Sequence, residues 1–490
     1  MTTRLTNARV PGGDPADLLV DDGRIVEAAA PSATAGERSA SEEVIDLDGR
    51  YVLPGFWDDH VHLSQYAFAR RRIDVSGAAS AAEAARIMHD ATAGRRPDAG
   101  QPLVGFGFRD GLWPDRPTAA LLDSVLGDLP VVLVSGDLHC CWLSSSALSR
   151  FGLTGHPSGI LREEQAFLVT VALQDVPEET LDSWVEDAAL AAAARGVVGV
   201  VDFEMTDNLT VWPRRFAAGF DTLRIAAGVY TEYLETAIAA GHYTGEALGP
   251  QLTVGPYKVL MDGSLNTRTA YCVDEYPGLE ETAGSRGVLS VPPSQLIPLL
   301  RRASAAGLLP AVHAIGDEAN RLALDAFETV GCAGRIEHAQ LVREVDLPRF
   351  AALGISVSVQ PEHAMDDRDV ADHYWAGRTD RAFALRSLRE AGARLILDSD
   401  APVAPLDPWV GIAAAVSRSR DGRPPWHPEQ SIGVAEAILA SNHDRAGLAV
   451  GETADLVVVD LDPLTVPVDR LRTMPVAATM LAGRWTYNRL

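Results

Sequence analysis

Cysteine and aromatic residues are scarce in this sequence of 490 residues. It has four cysteines, Cys140, Cys141, Cys272 and Cys332, and their spacing matches neither a metal-binding motif nor a disulfide framework. We therefore expect a reducing compartment, the cytoplasm. Aromatic residues account for 6% of the chain and hydrophobic residues for 47%, which is the composition of a soluble globular protein with an ample core.

Long apolar runs and positive charge are also lacking. No stretch of about 18 residues is apolar and free of charges, so we predict no membrane span. The first residues lack the apolar stretch of a secretory signal, which agrees with a cytoplasmic location. Forty-two basic residues face 67 acidic ones, and the formal net charge of −25 argues against nucleic acid and anionic membranes as partners.

One local pattern occurs four times along the chain: an amphipathic helix, a glycine and a short apolar strand. The four predicted helices span residues 175–195, 294–306, 346–353 and 379–391. A glycine just past a helix is typical of the left-handed C-terminal cap. Apolar strands that alternate with amphipathic helices predict a parallel sheet that is covered on both faces.

Eight strands of this kind can be proposed in the central part of the chain. They span residues 52–57, 197–203, 223–230, 254–261, 308–313, 335–341, 355–359 and 394–398. Eight strand–helix units predict an α/β fold, a (β/α)₈ barrel of the TIM type, which we place at residues 52–432.

The two ends of the chain and one internal segment do not follow the barrel pattern. Residues 1–51 alternate short strands and turns, with a hairpin signal at Asp22 and Gly23, and an apolar strand lies at 454–460. We predict that 1–51 and 433–490 form a small composite β-sandwich domain. The segment from about residue 65 to about residue 175 contains its own helix and an apolar strand. We predict that it is an insertion after barrel strand 1.

Side chains that can bind a metal recur near the ends of the predicted strands. His60 and His62 are two residues apart, so on a strand both imidazoles face the same way and could hold one metal. By itself this pair also fits two polar residues at a strand end. Lys258 is flanked by apolar residues inside a strand, where an ammonium is costly unless it is paired or modified.

Three further candidates, His313, His338 and Asp400, lie at the ends of later strands. Each candidate has a structural interpretation of its own, such as a core histidine, a lysine that reaches solvent or an aspartate that caps a helix. Together they fall where a barrel places its active site, at the C-terminal ends of its strands. The six residues therefore predict a metal centre.

Several motifs make the comparison with a known family specific. The segment 54–62, PGFWDDHVH, resembles the opening motif of the amidohydrolase superfamily, and its details resemble the family 3 branch, which includes formamide deformylases. Further segments similar to motifs of that branch are 257–264, 268–270, 313–317, 335–339, 399–403 and 454–458. The resemblance covers almost the whole chain.

This resemblance implies a role for each candidate residue. His60 and His62 would hold the more buried of two divalent metals, and His313 and His338 would hold the second. Lys258 would be carboxylated by carbon dioxide and would bridge both metals. The remaining residue, Asp400, would contact the buried metal and exchange protons with the attacking water. Histidine and carboxylate ligands suit Zn²⁺ best among the expected metals, and also Mn²⁺ or Fe²⁺.

The implied activity is metal-dependent hydrolysis of a carbon–nitrogen bond in a small molecule, an amide or a substituted formamide, by a hydroxide that bridges the metals. The resemblance also implies a homodimer. The ligands alone would permit an ester, a lactone or a cyclic amide as substrate. A one-metal deaminase is disfavoured because deaminases of the superfamily lack the lysine that Lys258 provides. A catalytically silent scaffold is disfavoured because all six ligand types are present.

Some positions depart from the branch or extend its motifs. Leu138 replaces a glycine of the branch and is expected to alter the pocket wall. An extra carboxylate, Asp398, stands two residues before Asp400, and we assign the ligand role to Asp400 because the motif aligns on it. Asp58 and Asp59 precede the histidine pair, and we expect one of them to orient a ligand imidazole.

Overall fold

The computed structural model describes residues 2–30, 42–92, 102–173 and 176–490. These residues form 21 strands. The strands are β1 (Thr2–Arg9), β2 (Pro15–Asp21), β3 (Arg24–Ala29), β4 (Glu42–Asp46), β5 (Tyr51–Pro54), β6 (Phe56–Val61), β7 (Ile73–Asp74), β8 (Leu103–Phe108), β9 (Val131–Ser135), β10 (Cys140–Leu143), β11 (Ile160–Arg162), β12 (Val197–Asp202), β13 (Arg224–Tyr230), β14 (Leu252–Leu260), β15 (Pro310–Ala314), β16 (Gly334–His338), β17 (Ile355–Val359), β18 (Leu395–Leu397), β19 (Leu456–Val459), β20 (Val476–Leu481) and β21 (Arg484–Asn488).

The same residues form 16 α-helices and three short 3₁₀ helices. The α-helices are α1 (Leu63–Ala69), α2 (Ala81–Thr92), α3 (Ala119–Leu126), α4 (Ser145–Arg150), α5 (Glu164–Ala172), α6 (Glu178–Ala193), α7 (Asn208–Ala217), α8 (Thr231–Ala239), α9 (Pro293–Ala305), α10 (Asp317–Val330), α11 (Leu347–Ala352), α12 (Pro361–Tyr374), α13 (Leu385–Glu390), α14 (Pro408–Ser417), α15 (Val434–Ala440) and α16 (Val468–Leu471). The 3₁₀ helices are Glu344–Asp346, Thr379–Arg381 and Pro428–Gln430.

Eight parallel strands form a nearly closed barrel at the centre of the molecule. Their order is β6, β12, β13, β14, β15, β16, β17 and β18, and a bridge between Val61 and Ala401 joins the two ends. The prediction of a mixed α/β fold with a TIM-like barrel is confirmed. One predicted strand, 52–57, is instead two strands, β5 and β6, which are separated at Gly55. A Cβ atom at Gly55 would lie 2.3 Å from Val198 Cγ1, so only glycine lets the chain turn so close to β12.

The four predicted helix–glycine–strand units are present as α6, α9, α11 and α13 with the strands that follow them. The glycines after these helices have φ between +66° and +93°, as expected for a left-handed cap. The predicted start of the first helix, residue 175, lies outside the described residues, and α6 begins at Glu178. The fourth helix begins at Leu385, not at residue 379, because Phe383 has a φ of +50° that interrupts helical geometry.

A second sheet joins the two ends of the chain. Its order is β21, β20, β19, β5, β1, β2 and β3, and β4 also pairs with β1. The predicted hairpin is confirmed, because β2 and β3 are antiparallel and Asp22 and Gly23 both have positive φ at the turn. The strands of both ends thus share one sheet, and the division at residues 51 and 433 stays a prediction.

A third sheet lies in sequence between β6 and β12, where an insertion was predicted. Its order is β11, β10, β9, β8 and β7, and β9 corresponds to the apolar strand expected there. Ser264, which follows β14, donates a hydrogen bond of 2.7 Å to Asp137 after β9, so this sheet contacts the barrel near its strand ends. Within the part of the chain that the structure describes, no helix combines the length and the apolar character needed to cross a bilayer.

A two-pronged ion pair connects the barrel to the sheet of the chain ends. Arg224 in β13 donates from Nε and Nη2 to the two carboxylate oxygens of Asp455, at 2.7 and 3.1 Å. The same carboxylate accepts the backbone amide of Ala482, at 2.8 Å. Asp455 is largely buried, so this contact is shielded from solvent, unlike the exposed pair between Arg50 and Asp460.

We expect the Asp455→Ala substitution to lower the free energy of unfolding by about 2 kcal/mol, because it leaves a partly buried guanidinium without its partner. Asp460→Ala is the matched control, and loss of that exposed pair should cost about 0.5 kcal/mol or less. Urea unfolding followed by circular dichroism measures both. Equal shifts of the two midpoints would contradict a special role for the buried pair.

Candidate metal centre

All six residues predicted as ligands line one cleft of about 620 Å³. Each is at least nine-tenths buried. They lie at or soon after the C-terminal ends of barrel strands: His60 in β6, His62 directly after it, Lys258 in β14, His313 in β15, His338 in β16 and Asp400 soon after β18. The parallel strands bring together side chains that are up to 340 residues apart (60 to 400) in the sequence.

The closest group within the cleft consists of His60, His338 and Asp400, whose ligand atoms all lie within 4.8 Å of one another. Asp400 Oδ1 is 3.5 Å from His60 Nε2 and 3.3 Å from His62 Nε2. The ring centre of His313 is 4.4 Å from that of His338. Zn²⁺ and similar cations are bound by imidazole nitrogens and carboxylate oxygens that lie as close together as these.

A chain of hydrogen bonds sets the protonation of His338. Gln360 Nε2 donates to Asp398 Oδ1 at 2.6 Å, so the amide oxygen of Gln360 faces His338 Nδ1, at 2.8 Å. Because that oxygen can only accept, Nδ1 carries the proton and Nε2 keeps its lone pair for a ligand. Ser358 also donates to Asp398, at 2.6 Å. The extra carboxylate therefore supports a histidine and is not part of the closest group.

His60 and His313 are oriented by neighbours in the same manner. His60 Nδ1 lies 2.8 Å from Glu337 Oε2, at ion-pair distance although outside the alignment of a good hydrogen bond. His313 Nε2 lies 3.3 Å from the carbonyl oxygen of Gly263. Both neighbours can only accept, which leaves Nε2 of His60 and Nδ1 of His313 free to bind a cation.

Lys258 is the only lysine among the 42 basic residues of the chain, and it is fully buried. Its Nζ lies 2.9 Å from His60 Nε2 and 4.7 Å from the ring centre of Phe203. Within the described ranges no carboxylate is at ion-pair distance from Nζ, and burial lowers the pKa of the amine to about 8. Burial therefore disfavours the ammonium form of this side chain relative to an exposed lysine.

The backbone at two of the candidate ligands lies in the left-handed region, with φ of +76° at His338 and +54° at Asp400. Such a conformation is uncommon for residues other than glycine, and it costs roughly 1–3 kcal/mol unless the surroundings impose it. Strained residues of this kind are concentrated at functional sites. Both side chains line the cleft together with the other candidate ligands.

Burial and mutual contacts favour neutral imidazoles at three of the candidate ligands and an ionised carboxylate at a fourth. Burial lowers the pKa of His60 to about 4, and it also lowers the pKa values of His313 and His338. Burial alone would raise the pKa of Asp400, but the neighbouring histidines outweigh it and the pKa is lowered. These protonation states are those that metal binding requires.

The partner of the His60 imidazole differs from the one expected. Asp58 Oδ1 accepts the backbone amides of Ser399 and His60, at 3.1 and 3.3 Å, and so fixes the backbone rather than a ring. Asp59 lies 2.9 Å from His443 Nε2 and also contacts Arg335. The carboxylate beside the ring is Glu337, from β16 on another side of the barrel. The sequence carries one signal for this contact, since Glu337 directly precedes the predicted ligand His338 within a buried strand.

Glu337 is itself held by an ion pair. Its Oε1 lies 2.5 Å from Arg335 Nε, and Arg335 Nη2 donates to the carbonyl oxygen of Asp59 at 2.7 Å. Burial would raise the pKa of Glu337, but Arg335 and His60 outweigh it and the pKa is lowered. The carboxylate therefore stays ionised and able to hold the His60 ring.

The cleft has two lobes, which share Asp137, His139, His313, His338, Asp400 and Val403. The first, of about 620 Å³, is here called the apolar lobe, and its apolar lining is Leu138, Phe167, Val171, Met205, Leu260 and Val403. The second, of about 500 Å³, is called the polar lobe, and its polar lining beyond the shared residues includes Arg109, Asn266, Gln340, His363, Asp366 and Asp367. Leu138 thus forms part of a pocket wall, as expected.

This chain is similar in sequence and in structure to known proteins of one family. The sequence model of the amidohydrolase family matches residues 43–487. The chain is 26% identical to N-substituted formamide deformylase of Arthrobacter pascens, over 96% of this chain and 95% of that protein. It is 27% identical to protein LONG AFTER FAR-RED 3 of Arabidopsis thaliana, over 96% and 88% of the two chains. A crystal structure of a metal-dependent hydrolase from Pyrococcus horikoshii superimposes with a TM-score of 0.78 and 26% identity, over 96% of this chain and 99% of that one.

Glu337→Gln removes the charge that holds His60 while it keeps the volume of the side chain. We expect affinity for a divalent cation to fall about tenfold or more, because partners of ligand histidines typically contribute that much. Competition with a chelating dye measures this affinity, and circular dichroism checks the fold. Glu344→Gln, on an exposed 3₁₀ helix, is the control. Equal metal affinity in the two variants would contradict the orienting role.

Proposed function

Because this chain belongs to the amidohydrolase family and is a hydrolase of carbon–nitrogen bonds, we propose that it cleaves the amide bond of a small molecule at a centre of two divalent metals. The ligands in this proposal are His60, His62, Lys258, His313, His338 and Asp400. One observation carries it: all six side chains converge, buried, on a single cleft at the strand ends of the barrel. Three of the histidines also keep a nitrogen lone pair directed away from their supporting partners.

The donor set suggests which metal the residues would hold and how they would share it. In this proposal His60 and His62 hold one ion, His313 and His338 hold the other, and carboxylated Lys258 serves both; Zn²⁺ suits such ligands best. Two bound ions would polarise the scissile carbonyl and lower the pKa of a water toward 7. Carboxylation converts the buried amine into an anion, which two cations would stabilise.

The side chains of the cleft would carry the proton transfers and position the substrate. Asp400 Oδ1 would accept the proton of the attacking water and deliver it to the leaving nitrogen, since its carboxylate is ionised and lies among the ligand histidines. Glu337 and Gln360 would keep the histidine rings fixed during this transfer. The apolar lobe would exclude bulk water from one side of the amide.

A screen of N-acyl and N-formyl amines against the metal-loaded enzyme tests the substrate class. Hydrolysis of one group of amides, with release of the amine, is the expected result. Lactones, other esters and cyclic amides belong in the same screen, because the ligand set alone would permit them. Exclusive turnover of these alternatives, or release of ammonia from an aminated ring, would replace the amide proposal.

We expect about two divalent ions per chain after reconstitution with metal and bicarbonate, because the six ligands exceed what a single tetrahedral site uses. Elemental analysis of the dialysed protein measures the ratio. A reproducible ratio of one or less would contradict the centre of two metals, and a protein that takes up no metal would indicate a silent scaffold.

Substitution of Lys258 tests the carboxylated bridge. Lys258→Ala should lose one metal and nearly all turnover, and propionate or formate should restore part of the activity by filling the vacated space. Lys258→Arg should be no better, because a guanidinium stays charged and cannot be carboxylated. Metal content and kcat/KM are the measurements. Near-normal values in Lys258→Arg would identify a packing residue instead of a bridge.

A spectroscopic measurement complements these kinetics. Since Lys258 is the only lysine, ¹³C-labelled bicarbonate should produce one side-chain carbamate signal in the NMR spectrum of the loaded protein. The Lys258→Ala variant is the control, because it retains the terminal amine and lacks the side-chain amine. A spectrum without a signal specific to the unsubstituted protein would contradict carboxylation.

A further inference from the structure

The two lobes of the cleft meet at the shared ligands and differ in chemistry. In the apolar lobe, Leu138, Phe167 and Val171 come from the inserted sheet and its helices, and Met205 and Leu260 follow or end barrel strands. The polar lobe has a guanidinium, carboxylates and amides in its lining. A substrate whose reactive bond lies at the shared ligands would therefore extend one substituent into each lobe.

The carboxylates of the polar lobe differ in how directly they are paired within the protein. Asp366 is matched by two cations, because Arg109 Nη2 and Arg420 Nη1 donate to its carboxylate at 2.8 and 2.7 Å. Asp137 accepts hydrogen bonds from the hydroxyls of Ser135 and Ser264 and from the backbone amide of His139. Asp367 makes no hydrogen bond or ion pair with any described residue. Asp367 is thus a carboxylate of this lobe that no described residue contacts by a hydrogen bond or an ion pair.

Buried polar groups in the same lobe also have no partner. Asn266 Nδ2, Gln340 Oε1 and His363 Nε2 each have no hydrogen-bond partner in the described part of the chain, and all three residues are more than nine-tenths buried. The backbone amide of Gly111 donates to Asn266 Oδ1 at 3.2 Å, so the amide nitrogen of Asn266 is the end left without a partner. Unpaired buried groups cost stability unless a ligand or water satisfies them, and of these three Gln340 Oε1 is the acceptor that an ammonium could satisfy.

We propose that the polar lobe binds an ammonium group of the substrate through Asp367, so that the substrate is an amide with an apolar substituent on one side and a cationic one on the other. This inference rests on the proposed amide hydrolysis. The cation would supply the direct partner that Asp367 lacks, and burial raises the pKa of Asp367 to about 7, which a bound cation would offset. A formamide, with only hydrogen on its acyl side, would leave one lobe empty.

Matched amides test this inference in both orientations. N-(2-aminoethyl)benzamide and N-benzyl-β-alaninamide place an ammonium on the amine side and on the acyl side of the amide. N-propylbenzamide and N-benzylbutanamide are their neutral counterparts, and N-benzoyl-β-alanine and N-benzylsuccinamic acid are their acidic ones. For the metal-loaded enzyme we expect at least one cationic amide to exceed its neutral counterpart about tenfold in kcat/KM, as one charged hydrogen bond would provide. The acidic amide should be the poorest.

Two variants assign the effect to Asp367. Asp367→Asn should abolish the tenfold preference and leave the neutral amides within about twofold. Asp369→Asn removes a charge from the exposed side of the same helix, α12, where it pairs with Arg423, and it should leave the preference unchanged. Equal turnover of cationic and neutral amides, a preference for the acidic ones, or an Asp367→Asn variant that loses all amides alike would overturn the inference.

The outcome is separable from that of the proposed function. If no amide in the set is hydrolysed, amide hydrolysis is the proposal that fails. The same compounds are then stable ligands, and calorimetry on the metal-loaded protein gives their Kd values. Tighter binding of a cationic amide, lost in Asp367→Asn, would still support the ammonium site, and equal Kd values would overturn it.

Discussion

The buried ion pair between Glu337 and Arg335 is the contact on which the geometry of the centre depends. Two charges are removed from water here, and this is costly unless each finds several partners. Glu337 also faces His60, and Arg335 also contacts the carbonyl oxygen of Asp59. Through these contacts the pair links β16 to β6 in the interior of the barrel. It also fixes the position of the His60 ring, and with it the distances from His60 Nε2 to Lys258 Nζ and to Asp400 Oδ1.

Much of this arrangement is predictable from the sequence because it depends on local patterns. Apolar runs and glycine caps locate seven of the eight barrel strands, and polar residues at the strand ends indicate the six candidates for metal binding. The prediction is poor where local patterns compete, as at Gly55, where one apolar run divides between two sheets, and at Phe383, where a positive φ delays a helix.

The supporting partners of the histidines could not be predicted in this way. Gln360 and Glu337 act across the barrel, and their identity depends on which strands become neighbours and how far each side chain reaches. The left-handed backbone at His338 and Asp400 has no local signal either, since neither residue is a glycine. Tertiary packing imposes such conformations, and a motif shows only that some chemistry is present.

Two kinds of elements contribute side chains to the cleft. Barrel strands and the residues that directly follow them hold the six candidate ligands, whereas Arg109, Leu138, Phe167 and Val171 in the cleft come from the inserted segment. Substitutions in the insertion can therefore change one wall of the cleft while the candidate ligands at the strand ends are retained. Such an arrangement is evolvable: drift in one segment can redirect the enzyme to new compounds while its chemistry is inherited intact.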